Sequence, residues 1–444
     1  MRKHLWTILL AAALTLWSVL IFKAGWSVAP AKGYYRYINA LLVFGLSLAI
    51  WLRIPAKQPE KPGSPSAKTW GLLFGAAILL AGFSYAAGMR QFAGFDHSAL
   101  IDPAWRMING QQPYTDFPCP LPVGFYLSAF HAFQLGGVAW SSLVLLNSVF
   151  AALTFLWLAG LLAHLLGAGW RTWTLVLCIQ ACTTLLVDYW WYNSVTTVVG
   201  CLFFLSSVSW LRAPDSRFSW FSWGGSLVLF AACKPNIAGP LILGATLILF
   251  CDRALRWRVL ATASLALVVF TGILAAHGIT LVEMLGGYLS VASRGLSWNQ
   301  FLQDLDLLEK IRSLSVLGLI LLPVFAFIPR GARLTRVQGL ALFAIASGLY
   351  GFVTNGESKL VDLPLILLAA ILWVRDTTSR PECFSLQKKI APHVVGFQEI
   401  VIIVLIVTGT GLGWMRHRVM LAGPGTFFEY SSLDRVDNNA FSPA

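Results

Sequence analysis

Charged residues are scarce in this chain of 444 residues, where Asp, Glu, Lys and Arg together make up 11%. An average soluble domain has about 25% of these residues. Hydrophobic residues make up 57% and the mean hydropathy is +0.71. So few charges cannot supply the polar surface that a soluble chain of this length needs. The composition excludes an ordinary soluble enzyme and indicates a protein that lies largely in a lipid bilayer.

Several motifs of cofactor chemistry are also lacking. The seven cysteines show no zinc or redox spacing, and no pair of His or carboxylate residues has the spacing of a metal site. Neither G-x-G-x-x-G nor a Walker pattern occurs. We therefore predict no cofactor and no metal ligands, while a need for a divalent metal stays open. The net charge of +13 is first an orientation signal in a membrane chain, so we expect no nucleic-acid partner.

Apolar runs of about 15 to 25 residues are abundant, and each is long enough to cross a bilayer as a helix. We predict an all-α, polytopic transmembrane bundle of about 13 spans. The first run is longer than a signal-peptide core and has no clean cleavage site, so we expect it to be retained. The runs lie near 5–22, 37–53, 69–88, 138–166, 172–189, 194–211, 219–233, 237–251, 258–276, 313–328, 337–353, 360–374 and 395–413.

The distribution of basic residues predicts a cytoplasmic N-terminus. With that orientation the inner segments hold 19 of the 32 Lys and Arg residues but five of the 19 Asp and Glu residues, as the positive-inside rule requires. Two short runs between 219 and 251 flank Lys234-Pro235-Asn236. Counting them as one re-entrant pair would turn the Arg-rich loops 253–258 and 330–336 outward, so we treat both as spans.

A linker rich in Pro and Lys at 54–68 divides the chain. We predict two leading transmembrane helices plus this cytoplasmic linker over 1–68, a transmembrane catalytic module over 69–413, and a short extracytoplasmic tail over 414–444. We expect the catalytic residues in the outer segments, because binding and catalytic residues tend to lie in ordered loops.

The first large outer loop, Gly94 to Gly137, is the most informative segment. Asp96 is expected at the outer end of the preceding membrane helix, where a carboxylate is costly and usually functional or paired. Apolar spacing over 99–108 predicts a short surface helix that ends at Asn109-Gly110. A Pro-rich step follows, and Val123 to Leu135 is too short to span, which predicts a second juxtamembrane helix.

This order of features resembles the first periplasmic loop of the GT-C superfamily of polytopic membrane glycosyltransferases. The resemblance covers about 45 residues, and Lys234-Pro235-Asn236 is similar to a short element between later helices of that superfamily. Many relatives have Asp-Glu where this chain has Asp96-His97, and a Tyr-Pro-Pro step where it has Cys119-Pro120-Leu121-Pro122. The residues that carry the resemblance are Asp96, Ala104, Gly110, Pro113, Tyr114, Asp116, Phe117, Pro122, Gly124, Tyr126, Leu127 and Ala129.

The resemblance implies a GT-C-like fold and a glycosyltransferase of the bacterial inner membrane. Such an enzyme takes its sugar from a polyprenyl-phosphate donor and acts on the periplasmic side. The acceptor would be an extracytoplasmic glycan, lipid or protein. Asp96 is the expected catalytic base, because it is the first acidic residue on the outer face and occupies the catalytic position of the resemblance.

Sugar transfer also needs groups that hold the leaving phosphate. Lys234 and Arg294 are the candidates, because basic residues outside are few and Arg grips phosphate with two hydrogen bonds. The alternatives are snorkelling or an internal ion pair for Lys234 and a solvated loop charge for Arg294. Tyr114 and Arg106, in the first loop, are further expected substrate-binding residues.

Three more polar residues are candidates with an open alternative each. Asp116 either contacts substrate or holds its loop as a turn residue. Asp188 either supplies a second acid or metal ligand, or belongs to the outer end of a helix whose aromatic residues 189–192 form a membrane-interface belt. His97 either hydrogen-bonds Asp96 or is structural.

Two other functions remain open. An O-antigen polymerase or ligase would carry key Arg and His residues in a large later outer loop, and 277–312 has Arg294 and Arg312 but only His277 at its edge. A lipid-linked glycan transporter or flippase would place charges within its helices and show repeat symmetry. This chain concentrates its acidic residues at outer helix ends and shows no repeat.

Overall fold

The computed structural model of the chain describes residues 65–89, 95–119, 121–187, 189–292, 317–318, 320–321, 324–325, 327, 334–354 and 361–379, without the side chains of 95–98, 170–171, 290–292 and 353–354. The predicted spans 5–22, 37–53 and 395–413 and the tail from 414 lie outside the described residues.

Helices dominate the described part of the chain, where the pairing of extended segments is limited to an isolated bridge between Pro113 and Phe117. This confirms the predicted all-α class. The helices are α1 (Ala67–Gly88), α2 (Phe95–Ile108), α3 (Val123–Gly136), α4 (Trp140–Leu166), α5 (Trp170–Cys182), α6 (Tyr192–Arg212), α7 (Arg217–Ala231), α8 (Pro235–Phe250), α9 (Arg256–Ala276), α10 (Leu281–Ala292), α11 (Arg336–Thr354) and α12 (Leu363–Thr378).

Four of these helices, α1, α4, α6 and α9, are long and apolar enough to cross a membrane. Their bounds lie within two residues of the predicted runs 69–88, 138–166, 194–211 and 258–276. The helix α8 and the segment Thr172–Cys182 are apolar but shorter. The bundle is therefore polytopic, and the total of about 13 spans stays a prediction.

Local sequence explains where the helices begin. Ser66 accepts a hydrogen bond from the Thr69 backbone N–H at the start of α1, and Ser216 does the same for Ser219 at the start of α7, which are the contacts of an N-cap. Pro235 occupies the first turn of α8, where its missing N–H costs nothing.

The predicted span 172–189 ends as a helix at Cys182 and continues as a buried turn. Polar side chains explain the early end, because they compete for backbone groups. The Thr183 hydroxyl donates to the Ile179 carbonyl oxygen, and the Thr184 hydroxyl donates to Gln180. Asn147 of α4 donates to the Thr184 carbonyl, so the turn is anchored within the protein.

The core surrounds α6. This helix packs against α4, α5, α7, α8, α11 and α12, and 94% of its most apolar window is buried inside the protein. Small Ser and Thr residues allow such close neighbours. The Ser207 hydroxyl donates to the Phe203 carbonyl oxygen, and the Ser209 hydroxyl lies 2.7 Å from the Ser219 hydroxyl of α7. The same windows of α1 and α9 are 33% and 28% buried, so these helices line the perimeter.

The first loop folds as the two predicted juxtamembrane helices, α2 and α3, which pack on each other. The start of α3 docks on the turn between α7 and α8. The Gly124 backbone N–H donates to the Ala232 carbonyl oxygen at 3.0 Å, and the Val123 N–H donates to the Tyr288 hydroxyl of α10 at 2.8 Å. These bonds fix the loop on the bundle beside Lys234.

We expect Gly124→Ala to destabilise this docking. An added Cβ would lie 2.7 Å from the Ala232 carbonyl oxygen and 2.8 Å from its Cβ, and overpacking of this kind costs about 1–3 kcal/mol. Thermal unfolding of the full chain in detergent should show a lower midpoint. The control is Gly239→Ala, on α8, where an added Cβ meets nothing within 4 Å. Equal midpoints for the two variants would contradict the docking.

Candidate functional site

Residues 113–117 of the first loop, which include four of the residues that carry the resemblance, form a tight turn. The Tyr114 N–H donates to the Phe117 carbonyl at 2.8 Å, and the Gln112 N–H donates to the Asp116 carboxylate at 2.7 Å. Tyr114 takes a φ of 68°, a left-handed conformation that is uncommon outside glycine. Asp116 thus closes the turn, which supports the turn-residue alternative, and its contact with a substrate stays a prediction.

Three tyrosines, Tyr114, Tyr126 and Tyr288, belong to one hydrophobic cluster beside this turn. The rings of Tyr114 and Tyr126 meet edge to face, with centroids 6.3 Å apart, and both hydroxyl oxygens are buried. A Cβ on Gly287 of α10 would strike the Tyr114 ring at 2.4 Å. Burial raises the pKa of Tyr114, Tyr126 and Tyr288 well above the usual range, so these hydroxyls stay neutral.

Arg106 supports the loop from α2. Its Nε donates to the Asp102 carboxylate one turn earlier at 2.9 Å, and its guanidinium lies 5.4 Å from the centroid of the Phe117 ring. Both contacts are internal to the loop and near solvent, where an ion pair contributes little to stability. The role of Arg106 in substrate binding stays a prediction.

Lys234 lies in the turn between α7 and α8 and is partly buried among helix ends. Its ammonium is 4.5 Å from the centroid of the Tyr192 ring, a cation–π contact. Its backbone N–H donates to the Thr196 hydroxyl at 3.5 Å. The carboxylate of Asp362 attracts the ammonium electrostatically.

Asp362 is the acidic partner in this cluster. It precedes α12, its side chain is 2% exposed, and it accepts a hydrogen bond from the Thr197 hydroxyl at 3.4 Å. A Cβ on Gly351 of α11 would lie 2.5 Å from Asp362 Oδ1, so the glycine makes room for the carboxylate. Helices α6, α11 and α12 together position one acid beside Lys234.

The environment changes the ionisation of Lys234. Desolvation lowers the pKa of Lys234 to about 8, and the negative charge of Asp362 acts in the opposite direction. At neutral pH the side chain is therefore still mainly an ammonium ion, and a bound anion would stabilise that charged form further.

The structure brings the first loop and Lys234 together. The Phe125 ring of α3 lies 6.0 Å from the Tyr192 ring, on which Lys234 rests. Gly124 bonds to Ala232, two residues before Lys234. Elements more than 100 residues apart in the sequence thus lie side by side, while the predicted roles of the first loop and of Lys234 stay predictions.

Asp96 lies in the first turn of α2, and the expectation that it ends the preceding membrane helix is wrong. That helix, α1, ends at Gly88. The side chains of Asp96 and His97, as well as Asp188 and Arg294, lie outside the described residues. Their predicted roles stay predictions.

The aromatic residues at 189–192 do not form a lipid-facing belt, contrary to the expectation. Tyr189, Trp190 and Trp191 are 5–7% exposed, and Trp190 packs on Phe125 with centroids 5.8 Å apart. The Trp190 indole N–H donates to the Phe125 carbonyl at 3.3 Å. Instead of anchoring the protein in the interface, these rings form the wall between the first loop and α6.

Asp362 is a site residue that the sequence did not single out, because Lys359, three residues earlier, offers it a local ion-pair partner. The missed signal was a pair of opposite charges, Lys234 and Asp362, each at the outer end of a predicted apolar span. Each charge is costly to place in an apolar span without a counter-charge, so two opposite charges of this kind are expected to lie together.

Comparisons with known proteins found a similar solved structure. No protein-family model matches the sequence, and no curated protein sequence matches it. A matching solved structure is the crystal structure of ArnT from Cupriavidus metallidurans bound to undecaprenyl phosphate. The sequence identity is 15%, the TM-score is 0.45, and the match covers 79% of this chain and 78% of that chain.

We expect Lys234 and Asp362 to be energetically coupled. Lys234→Met or Asp362→Asn alone leaves one charge buried without its counter-charge, which costs about 3–5 kcal/mol. The double variant should lose less stability than the sum of the two. Thermal unfolding of all four proteins in detergent measures the coupling.

The matched control is Asp215→Asn, which removes an ion pair with Arg258 in which the Asp215 side chain is 91% exposed. That loss should cost at most about 1 kcal/mol. Additive effects of Lys234→Met and Asp362→Asn would show that the two charges do not interact.

Proposed function

We propose that the chain is a GT-C-type membrane glycosyltransferase. It moves a sugar from a polyprenyl-phosphate donor to an extracytoplasmic glycan, lipid or protein acceptor, on the periplasmic side of the bacterial inner membrane. The proposal rests on the first-loop motif and on the geometry around Lys234.

The observation that carries the proposal is the position of the Lys234 ammonium beside the first loop. An ammonium held among aromatic rings and helix ends is costly there without an anion, and the phosphate of a lipid donor is an anion that enters from the membrane. Asp362 supplies part of the compensation in the free protein. The three N–H donors of the ammonium leave capacity for a phosphate oxygen besides that carboxylate.

The reaction divides between a base and a phosphate site. In our proposal Asp96 removes the proton from an acceptor hydroxyl, and the resulting oxygen forms a bond to the anomeric carbon of the donor sugar. The bond from that carbon to the phosphate oxygen breaks, and its electron pair leaves with the polyprenyl phosphate. Lys234 and Arg294 stabilise the added negative charge. A single displacement of this kind inverts the anomeric centre.

Neighbouring residues have supporting roles in this proposal. His97 adjoins the base in the first turn of α2, and Asp188 precedes the buried aromatic wall and supplies a second acid. Asp116 and Arg106 shape the turn that presents Tyr114.

We expect Asp96→Asn to abolish sugar transfer, by at least about 100-fold, because the amide cannot accept the proton. The assay is transfer from a panel of radiolabelled polyprenyl-phosphate sugars by the full chain in proteoliposomes. Asp102→Asn is the control on the same helix, since Asp102 is half exposed and bonded to Arg106. Undiminished turnover by correctly inserted Asp96→Asn protein would remove the proposed base.

We expect the apparent affinity for the donor to depend on the charge of Lys234. Because the pKa of Lys234 is about 8, the ammonium predominates below pH 8 and the neutral amine above it. The donor KM should therefore rise by up to about tenfold per pH unit above 8. Lys234→Arg stays charged over this range, so its donor KM should not show that rise. Parallel pH profiles for the two proteins would argue against Lys234 as the phosphate ligand.

A further inference from the structure

Two histidines from distant parts of the chain meet beside the first loop. His131 lies on α3 and His277 directly follows α9, and their Nε2 atoms are 3.0 Å apart. The rings are edge to face, with centroids 5.0 Å apart. The pair is accessible to solvent, and it takes no part in the function proposed above.

The hydrogen bonds of the other ring nitrogens define what the pair can bind. His277 Nδ1 lies 2.7 Å from the Ile273 carbonyl oxygen, which can only accept, so Nδ1 carries the proton. His131 Nδ1 lies 3.0 Å from Gln134 Oε1, and this acceptor assigns the proton in the same way. In the neutral rings both Nε2 atoms then present lone pairs to each other. A cation between the two nitrogens would satisfy both lone pairs.

The spacing suits a metal ion. Two imidazole nitrogens bound at about 2.0–2.1 Å lie about 2.9 Å apart at a right angle and about 3.4 Å apart at the tetrahedral angle. The observed 3.0 Å is close to the right angle, the geometry that Cu²⁺ and Ni²⁺ favour. Histidine ligands also commonly donate their second N–H to a carbonyl, as both rings do here.

We propose that His131 and His277 form a binding site for a divalent transition metal, which clamps α3 to the end of α9. No group of three or more His, Cys, Asp and Glu suited to a metal occurs in the part of the chain that is described. Water or small ligands would fill the other coordination positions, so the metal would exchange more readily than in a closed four-ligand site.

The clamp would reinforce a contact that the fold already makes. Leu127 of α3 belongs to one hydrophobic cluster with Phe270 and Leu274 of α9, and the histidines lie one turn further along both helices. Phe130 flanks the pair, with its ring 5.9 Å from that of His277. Bound metal would hold α3, and with it the start of α3 at Lys234, more firmly on the bundle.

The test is Ni²⁺ binding by the full chain in detergent, purified without a histidine tag and with its thiols blocked by N-ethylmaleimide. Equilibrium dialysis should give one more Ni²⁺ per chain for the wild type than for the variant that carries both His131→Asn and His277→Asn. Gln134→Leu should weaken binding by about 10- to 100-fold, because it removes the carbonyl that orients His131. His164→Asn, on α4 away from the pair, should change nothing.

A footprint on the wild type keeps the test independent of how the variants fold. Bound Ni²⁺ should protect His131 and His277, but not His164, from modification by diethylpyrocarbonate, as read by mass spectrometry of the peptides. Equal Ni²⁺ binding by the wild type and the double variant, or no protection of the pair, would overturn the proposal. Either result would leave a shared proton or a simple hydrogen bond as the reason for the short contact.

Discussion

The charge of Lys234 is the constraint on which the rest of the site depends. An ammonium among helix ends is tolerated when an aromatic face, a carboxylate or a bound anion compensates it. Tyr192 and Asp362 supply the first two. To bring them there, α6 and α12 must begin at the same level as the turn between α7 and α8. The positions of these helices are therefore tied to one side chain.

The sequence predicts much of this architecture, because apolar runs are local signals. The bounds of α1, α4, α6 and α9 follow from such runs, and the helix α3 follows from a run too short to span. The early end of α5 could not be predicted from hydropathy, since it depends on hydrogen bonds among Thr183, Gln180 and Asn147. Hydropathy treats these residues as interruptions of a span and contains no information about their partners.

The site was less predictable than the fold, for a physical reason. Lys234 stands out because a cation between apolar runs is costly wherever it lies. Asp362 does not stand out, because nearby charges offer it a local partner and its true partner is 128 residues earlier in the chain. The buried Trp190 and Trp191 were misassigned for a similar reason. The same aromatic residue types occur at helix ends that face lipid and at helix ends that face another helix. Only tertiary packing distinguishes the two cases.

The enclosure of α6 has a consequence for how this protein can change during evolution. A side chain on that helix meets protein on every side, so substitutions there need compensating changes in several neighbours. Lipid-facing positions on α1 and α9 need only stay apolar. Distant kin of this chain should therefore differ most along its perimeter, and the small hydroxyl residues of Tyr192–Arg212 are the better place to search for common ancestry.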